Sequence, residues 1–226
     1  FFGLLALTAL FFIQPKQVVG NAVNETIGKR LTEGIRFVFS NKVILSALSL
    51  DLFAVLFGGA VALLPVFAEH ILKTGPEGLG MLRAAPSLGA SILMIWLSVR
   101  KPQGAPGIML LWCVAGFGLC MIAFALSTNF YLSLFILFLS GAFDSVSVVV
   151  RGNILQLQTP DHMRGRVSAV NTMFIGSSNE IGAFESGVAA KLMGTVPSVI
   201  FGGCVTLLVV GITAAKATAL KRFTYE

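Results

Sequence analysis

Residues 130–151 read FYLSLFILFLSGAFDSVSVVVR. From Phe130 to Phe143 no residue is charged. As a helix rising 1.5 Å per residue, the whole run is about 33 Å long, enough to cross a hydrocarbon core of about 30 Å. Asp144 and Arg151 interrupt its apolar character. An ionisable side chain at bilayer depth costs several kcal/mol unless it faces protein or an aqueous cavity. Gly141, Ser147 and Arg151 stand three before, three after and seven after Asp144, which puts all four on one helical stripe. Phe143, Val146 and Val149 flank that stripe with apolar surface. The run is therefore expected to be a membrane span whose polar stripe faces a cavity or a partner helix.

Working outward, similar runs fall at about 43–68, 78–99, 107–127, 165–190 and 195–216. The composition agrees: 56% of residues are apolar and 12% charged, where a soluble domain carries about twice that charge. The predicted fold is an all-α, polytopic membrane bundle with a six-helix unit over 43–216. Residues 1–13 are apolar but short for a span, with no basic stretch or small-residue cleavage site to mark a signal peptide. They are expected to be a truncated transmembrane helix. Residues 14–42 form a polar loop in which Asn24 can cap an amphipathic helix bearing Ile27, Leu31, Gly34, Ile35 and Val38, expected to lie along the membrane. Residues 217–226 form a tail.

The net charge of +6 could suggest nucleic acid, but the basic residues are spread over inter-helix loops, so nucleic acid is excluded as a partner. Their alternation orients the chain instead. Lys16, Lys29, Arg30, Arg36 and Lys42, then Arg100 and Lys101, then Arg151, Arg164 and Arg166, then Lys216, Lys221 and Arg222 all fall on one side, while the other keeps Lys73 and Lys191. By the positive-inside rule the first group, with the C-terminus, is expected to be cytoplasmic. Cys113, Cys120 and Cys204 match no metal or redox spacing and are expected to be small core residues.

Five ionisable residues fall inside the spans: Asp51, Arg83, Asp144, Glu180 and Glu185. Asp51 lies about 13 Å into its helix. Asn171, Ser178 and Glu185 repeat at seven with Gly182 between them, a second polar stripe beside the one on 130–151, and two such faces suggest an aqueous pathway. One reading makes these residues structural, as buried pairs that fix the bundle. The other makes Glu180 or Asp144 a carboxylate that exchanges a proton for substrate.

The loop between the fourth and fifth spans reads Gln158-Thr159-Pro160-Asp161-His162-Met163-Arg164-Gly165-Arg166-Val167. Thr159 is expected to cap a new helix, with Pro160 at its first position and Asp161 in its first turn. Arg164 and Arg166 are placed to bond carbonyls of the preceding helix or an acid across the bundle, and Gly165 to let backbones approach. This pattern resembles the loop between helices 10 and 11 of the Major Facilitator Superfamily. Leu50-Asp51-Leu52-Phe53, Leu82-Arg83-Ala84-Ala85-Pro86, Val167-Ser168-Ala169-Val170-Asn171 and the run from Ser178 to Gly187 are similar to its siderophore-exporting branch.

The resemblance implies a 12-helix fold of two halves, of which residues 43–216 would be helices 7 to 12 and residues 1–13 the end of helix 6. It also implies a bacterial inner-membrane location and proton-driven export by alternating access. Asp51, Arg83, Asp144, Arg151, Asn171, Glu180 and Glu185 become candidates for the proton or substrate pathway, and Pro160, Asp161, Arg164, Gly165 and Arg166 for a conformational motif. The implied partners are a small-molecule substrate, protons, the lipid bilayer and a missing N-terminal half, without which the chain should not transport. The counterpart of the family's loop motif between helices 2 and 3, Ser98-Val99-Arg100-Lys101-Pro102, is degenerate. The expected function is secondary active efflux of a small organic solute such as a siderophore. Multidrug-type efflux and a non-transporting scaffold are the alternatives. The sequence offers no metal-ligand cluster, no nucleophile with an adjacent base and no phosphate-binding glycine loop, so no enzyme activity, cofactor or metal is expected.

Overall fold

The computed structural model describes residues 27–58, 60–99, 104–221 and 223. The expected truncated helix at 1–13, the Asn24 cap, Gly59, the Arg100-Lys101-Pro102 loop and Arg222 lie outside the described residues. The described chain runs α1 (Ile27–Ser40), α2 (Lys42–Ile71), α3 (Gly75–Val99), α4 (Pro106–Leu126), α5 (Phe130–Gln158), α6 (Arg164–Met193), α7 (Thr195–Lys216) and α8 (Thr218–Lys221), with no strand among the described residues.

Local chemistry sets these boundaries. Asn41 Oδ1 accepts the backbone N–H groups of Val43 and Ile44, at 3.0 and 3.2 Å, and so starts α2. Asn129 does the same for α5 through the N–H of Leu132. Pro106 opens α4, where its missing N–H costs nothing. Gly194, at φ 92°, closes α6 in a conformation that other residues avoid. Within α2 the regular helix stops at Gly58 and continues as a 3-10 turn (Ala60–Leu63), a short α turn holding Pro65 (Leu64–Val66) and a π turn (Phe67–Ile71). Pro65 has no N–H for the carbonyl four residues back, which accounts for the irregular ladder there.

Five of the helices, α2, α3, α4, α5 and α7, are long and apolar enough to cross a membrane. The sixth span expected at 165–190 is present as α6 but is too polar to qualify by hydropathy. A helix of this composition crosses lipid only where protein or water covers its polar faces.

α2 is the central element and packs on α4, α5, α6 and α7. Around it α3 packs on α5, α5 on α4, α4 on α7 and α7 on α6, which leaves α3 and α6 as the ends of an open ring. The consecutive helices α5 and α6, expected to be neighbours, do not pack along their lengths, because α2 separates them. The most extensive crossing is α3 on α5. A Cβ on Gly89 would overlap the Phe138 carbonyl, and one on Gly141 the Pro86 carbonyl, so each helix offers a glycine to the other's backbone. Gly202 of α7 meets the Phe57 carbonyl of α2 in the same way, whereas Gly187 meets open space among the described residues.

The apolar face of α1 is buried on α6 and not free for the membrane surface. Leu31, Ile35 and Val38 pack with Val167 and Val170, and Gly34 sits against the Arg166 carbonyl and Val170. Cys113 and Cys120 are buried as expected, but Cys204 is exposed on α7.

Candidate functional site

The polar stripe of α5 faces inward, and each of its residues meets a different partner. Gly141 abuts Pro86 of α3. Nearly three turns further on, Arg151 forms an ion pair with Asp51 of α2. Both side chains are less than a tenth exposed. A charge buried this deeply persists only with its counter-charge, so the pair ties the central helix to α5 at one fixed register.

Asp144 lies between these points and is half-buried. It lines a cavity of about 180 Å³ bounded by α2, α3, α4, α5 and α6. The walls are mainly apolar, with Val55, Leu64, Phe117 and Met121 among them, and Asn179 of α6 and Ser140 add polar groups. Asp144 also borders a void of about 10 Å³ that it shares with Asp51 and Ser147. Asp144 therefore stands between the central cavity and the Asp51–Arg151 pair. Ser147 donates its hydroxyl to the Asp144 carbonyl at 2.8 Å and does not touch the carboxylate through any bond the structure contains.

The second stripe is turned mostly toward α2. Ser178 is buried and bonded to the Phe174 carbonyl at 2.8 Å, and a Cβ on Gly182 would lie 2.8 Å from the Leu56 carbonyl. Asn171 and Glu185 are half-buried at its two ends. Glu180 and Arg83 are exposed, on α6 and α3, and neither lines the cavity. The seven candidates thus divide into a cluster of Asp51, Asp144 and Arg151, and four residues the structure does not bring to it.

In the loop, Thr159 is not a helix N-cap. It ends α5 in an extended conformation, φ −110° and ψ 122°, and its hydroxyl has no hydrogen-bond partner. Pro160 instead leads a 3-10 turn at Asp161–Met163, which runs into α6. Arg164 pairs with Asp161 at 3.0 Å within that turn. Arg166 does reach an acid across the bundle, Glu33 of α1. Gly165 faces open space, so no described backbone approaches it. Sequence reasoning missed Glu33, and also missed Asn41, whose Nδ2 donates to Gln158 Oε1 at 3.3 Å. Both fasten α1 and the start of α2 to the loop-side ends of α5 and α6. Neither a lone acid on α1 nor a lone amide between α1 and α2 carried a signal for its contact.

The family model described as "Transmembrane secretion effector" matches residues 1–224. Among curated proteins, the chain is similar to the "Enterobactin exporter EntS" of Shigella boydii serotype 18, at 27% identity over 86% of this chain and 47% of that protein. It is also similar to the proteins of that name from Shigella flexneri, at 26% over 86% and 46%, and from Escherichia coli O139:H28, at 26% over 86% and 47%. The chain spans about half the length of the curated relatives it matches. No solved structure matches it significantly.

Proposed function

The chain belongs to the transmembrane secretion effector family of the Major Facilitator Superfamily, a family of transporters and not of enzymes, and from that premise we propose proton-coupled export of a small organic solute. The observation that carries this reading is the position of Asp144, which borders both the cavity and the void beside the buried Asp51–Arg151 pair. In the proposed cycle the solute occupies the cavity against apolar walls, and Asp144 takes up a proton as the solute leaves. The change in its charge is felt by Arg151 and Asp51, which join α5 to α2 and so convert a local proton transfer into helix movement. The relatives named as enterobactin exporters make a siderophore the favoured solute.

Alternating access needs an opposing bundle, and we assign that role to a second six-helix half. The open faces of α6 and α3 support it: Gly165, Gly176 and Gly187 recur along α6 with no described residue packed against them, and Gly80 does so on α3. The basic residues clustered on one side support a cytoplasmic position for that side, with the C-terminus, in a bacterial inner membrane.

The test is efflux of enterobactin from cells expressing the genomic reading frame that encodes the chain, comparing wild type with Asp144→Asn at equal membrane abundance. Export by wild type that falls at least tenfold in the variant supports the reading. Absence of efflux in wild type, with intact membrane insertion, would favour a scaffold role.

A further inference from the structure

The residues that line the central cavity differ sharply in exposure. Val61 of α2 is 64% exposed and Asn179 of α6 is also exposed, whereas Leu64, Met121 and Leu137 are each 3% exposed or less. The first two form its lips and the other three its inner wall. Its volume of about 180 Å³ is close to that of the apolar protein cavities, about 150 Å³, that take up one benzene molecule. A single six-membered ring therefore fills it, and a larger solute must extend past the lips. The wall favours an aromatic ring over other apolar groups, because Phe117 can stack on such a ring or meet its edge and the Met121 thioether adds a polarisable contact.

Charge narrows the class further. Asp144 is the one ionisable residue among the described lining. Arg151, the basic member of the adjoining cluster, is already engaged by Asp51 and does not line the cavity. Charges in a mainly apolar chamber interact more strongly than in water, so an anionic group would be repelled by a carboxylate that no basic lining residue offsets. A neutral ring meets no such penalty, and a cationic substituent is attracted. In the cycle proposed above Asp144 is unprotonated while the solute is bound, so this selection acts as the solute loads.

We propose that the cavity is a seat for one aromatic ring, neutral or cationic but not anionic, and that the rest of the solute projects past Val61 and Asn179. That the ring belongs to an exported solute rests on the export reading above; its binding does not.

The experiment uses a ring-sized neutral photolabel, a benzyl alcohol bearing a trifluoromethyl diazirine, irradiated with native membranes that contain the protein encoded by the genomic reading frame. Met121 and Leu137 are too buried to be reached from lipid, so an adduct on either reports a ring inside the cavity. Millimolar benzyl alcohol and benzylammonium should each reduce that adduct at least fivefold, and benzoate should not. Asn179→Lys puts a cation on an exposed lip, where the longer side chain displaces no packed atom. In that variant benzoate should compete and benzylammonium should compete less well. No adduct on either residue, an adduct that benzyl alcohol does not reduce, equal competition by benzoate in wild type, or benzoate without effect in Asn179→Lys would overturn the proposal. Efflux measured in parallel separates the two claims: efflux without a competed adduct sinks the ring seat alone, and a competed adduct without efflux sinks the export reading alone.

Discussion

At the scale of single residues, the Asp51–Arg151 pair should govern stability, because removing one member of a buried ion pair strands the other. Asp51→Asn and Arg151→Gln should each cost about 3–5 kcal/mol. Read as the thermal midpoint in detergent, either loss should be large, and the swap Asp51→Arg with Arg151→Asp should recover a substantial part of it. Thr159→Val makes the opposite case. It removes a buried hydroxyl with no partner while keeping the shape of the side chain, so the midpoint should not fall. The inward placement of Asp144 and Arg151 was legible in the sequence, since their spacing on an apolar helix fixes a shared face. The pairing of Arg151 with Asp51, a hundred residues away, was not. Periodicity orders residues around one helix and says nothing of which neighbour that helix meets. Thr159 misled for a related reason: a threonine before a proline is a good cap by local chemistry, and here it ends α5 instead.

At the scale of elements, two kinds of contact hold the helices in place. The first is glycine against backbone where α3 crosses α5. Gly141→Leu should push the helices apart and abolish stable membrane expression, whereas Gly176→Leu, on the open face of α6, should leave the isolated bundle intact and impair only what docks there. Size-exclusion profiles of the two variants distinguish these outcomes. The second is polar, and joins α1 to the loop-side end of α6 through Glu33 and Arg166. Glu33→Lys should detach α1, seen as faster protease cleavage between α1 and α2, and Glu33→Arg combined with Arg166→Glu should restore protection. The positions of all six long helices were legible from hydrophobic runs to within a few residues, except that α5 extends past 151 to Gln158. The missed turns are polar at Asn153, Gln156 and Gln158, and so lack the apolar signal that marks a span. For α6 the sequence showed the helix but not how little of it suits lipid. Gly165, Ser168, Gly176, Glu180 and Gly187 form an exposed face that matters only once α2 and α1 are seen to occupy the other side.

At the scale of the whole molecule, the chain is an open ring of helices around α2, with a cavity at its centre and two long faces, on α3 and α6, left without partners among the described residues. Such a body is a poor candidate for a closed scaffold and a good one for half of a rocking pair. In the proposed cycle Asp144 carries the coupling proton, and coupling is separable from solute binding. Exchange across the membrane at equal solute concentration needs the binding site but no net proton transfer, whereas accumulation against a gradient needs both. The direct measurement is therefore enterobactin transport into inside-out vesicles, with and without a pH gradient, for wild type and Asp144→Asn. The account predicts that wild type accumulates solute only with the gradient, and that Asp144→Asn retains exchange but loses accumulation. Gradient-driven accumulation undiminished in Asp144→Asn would contradict it.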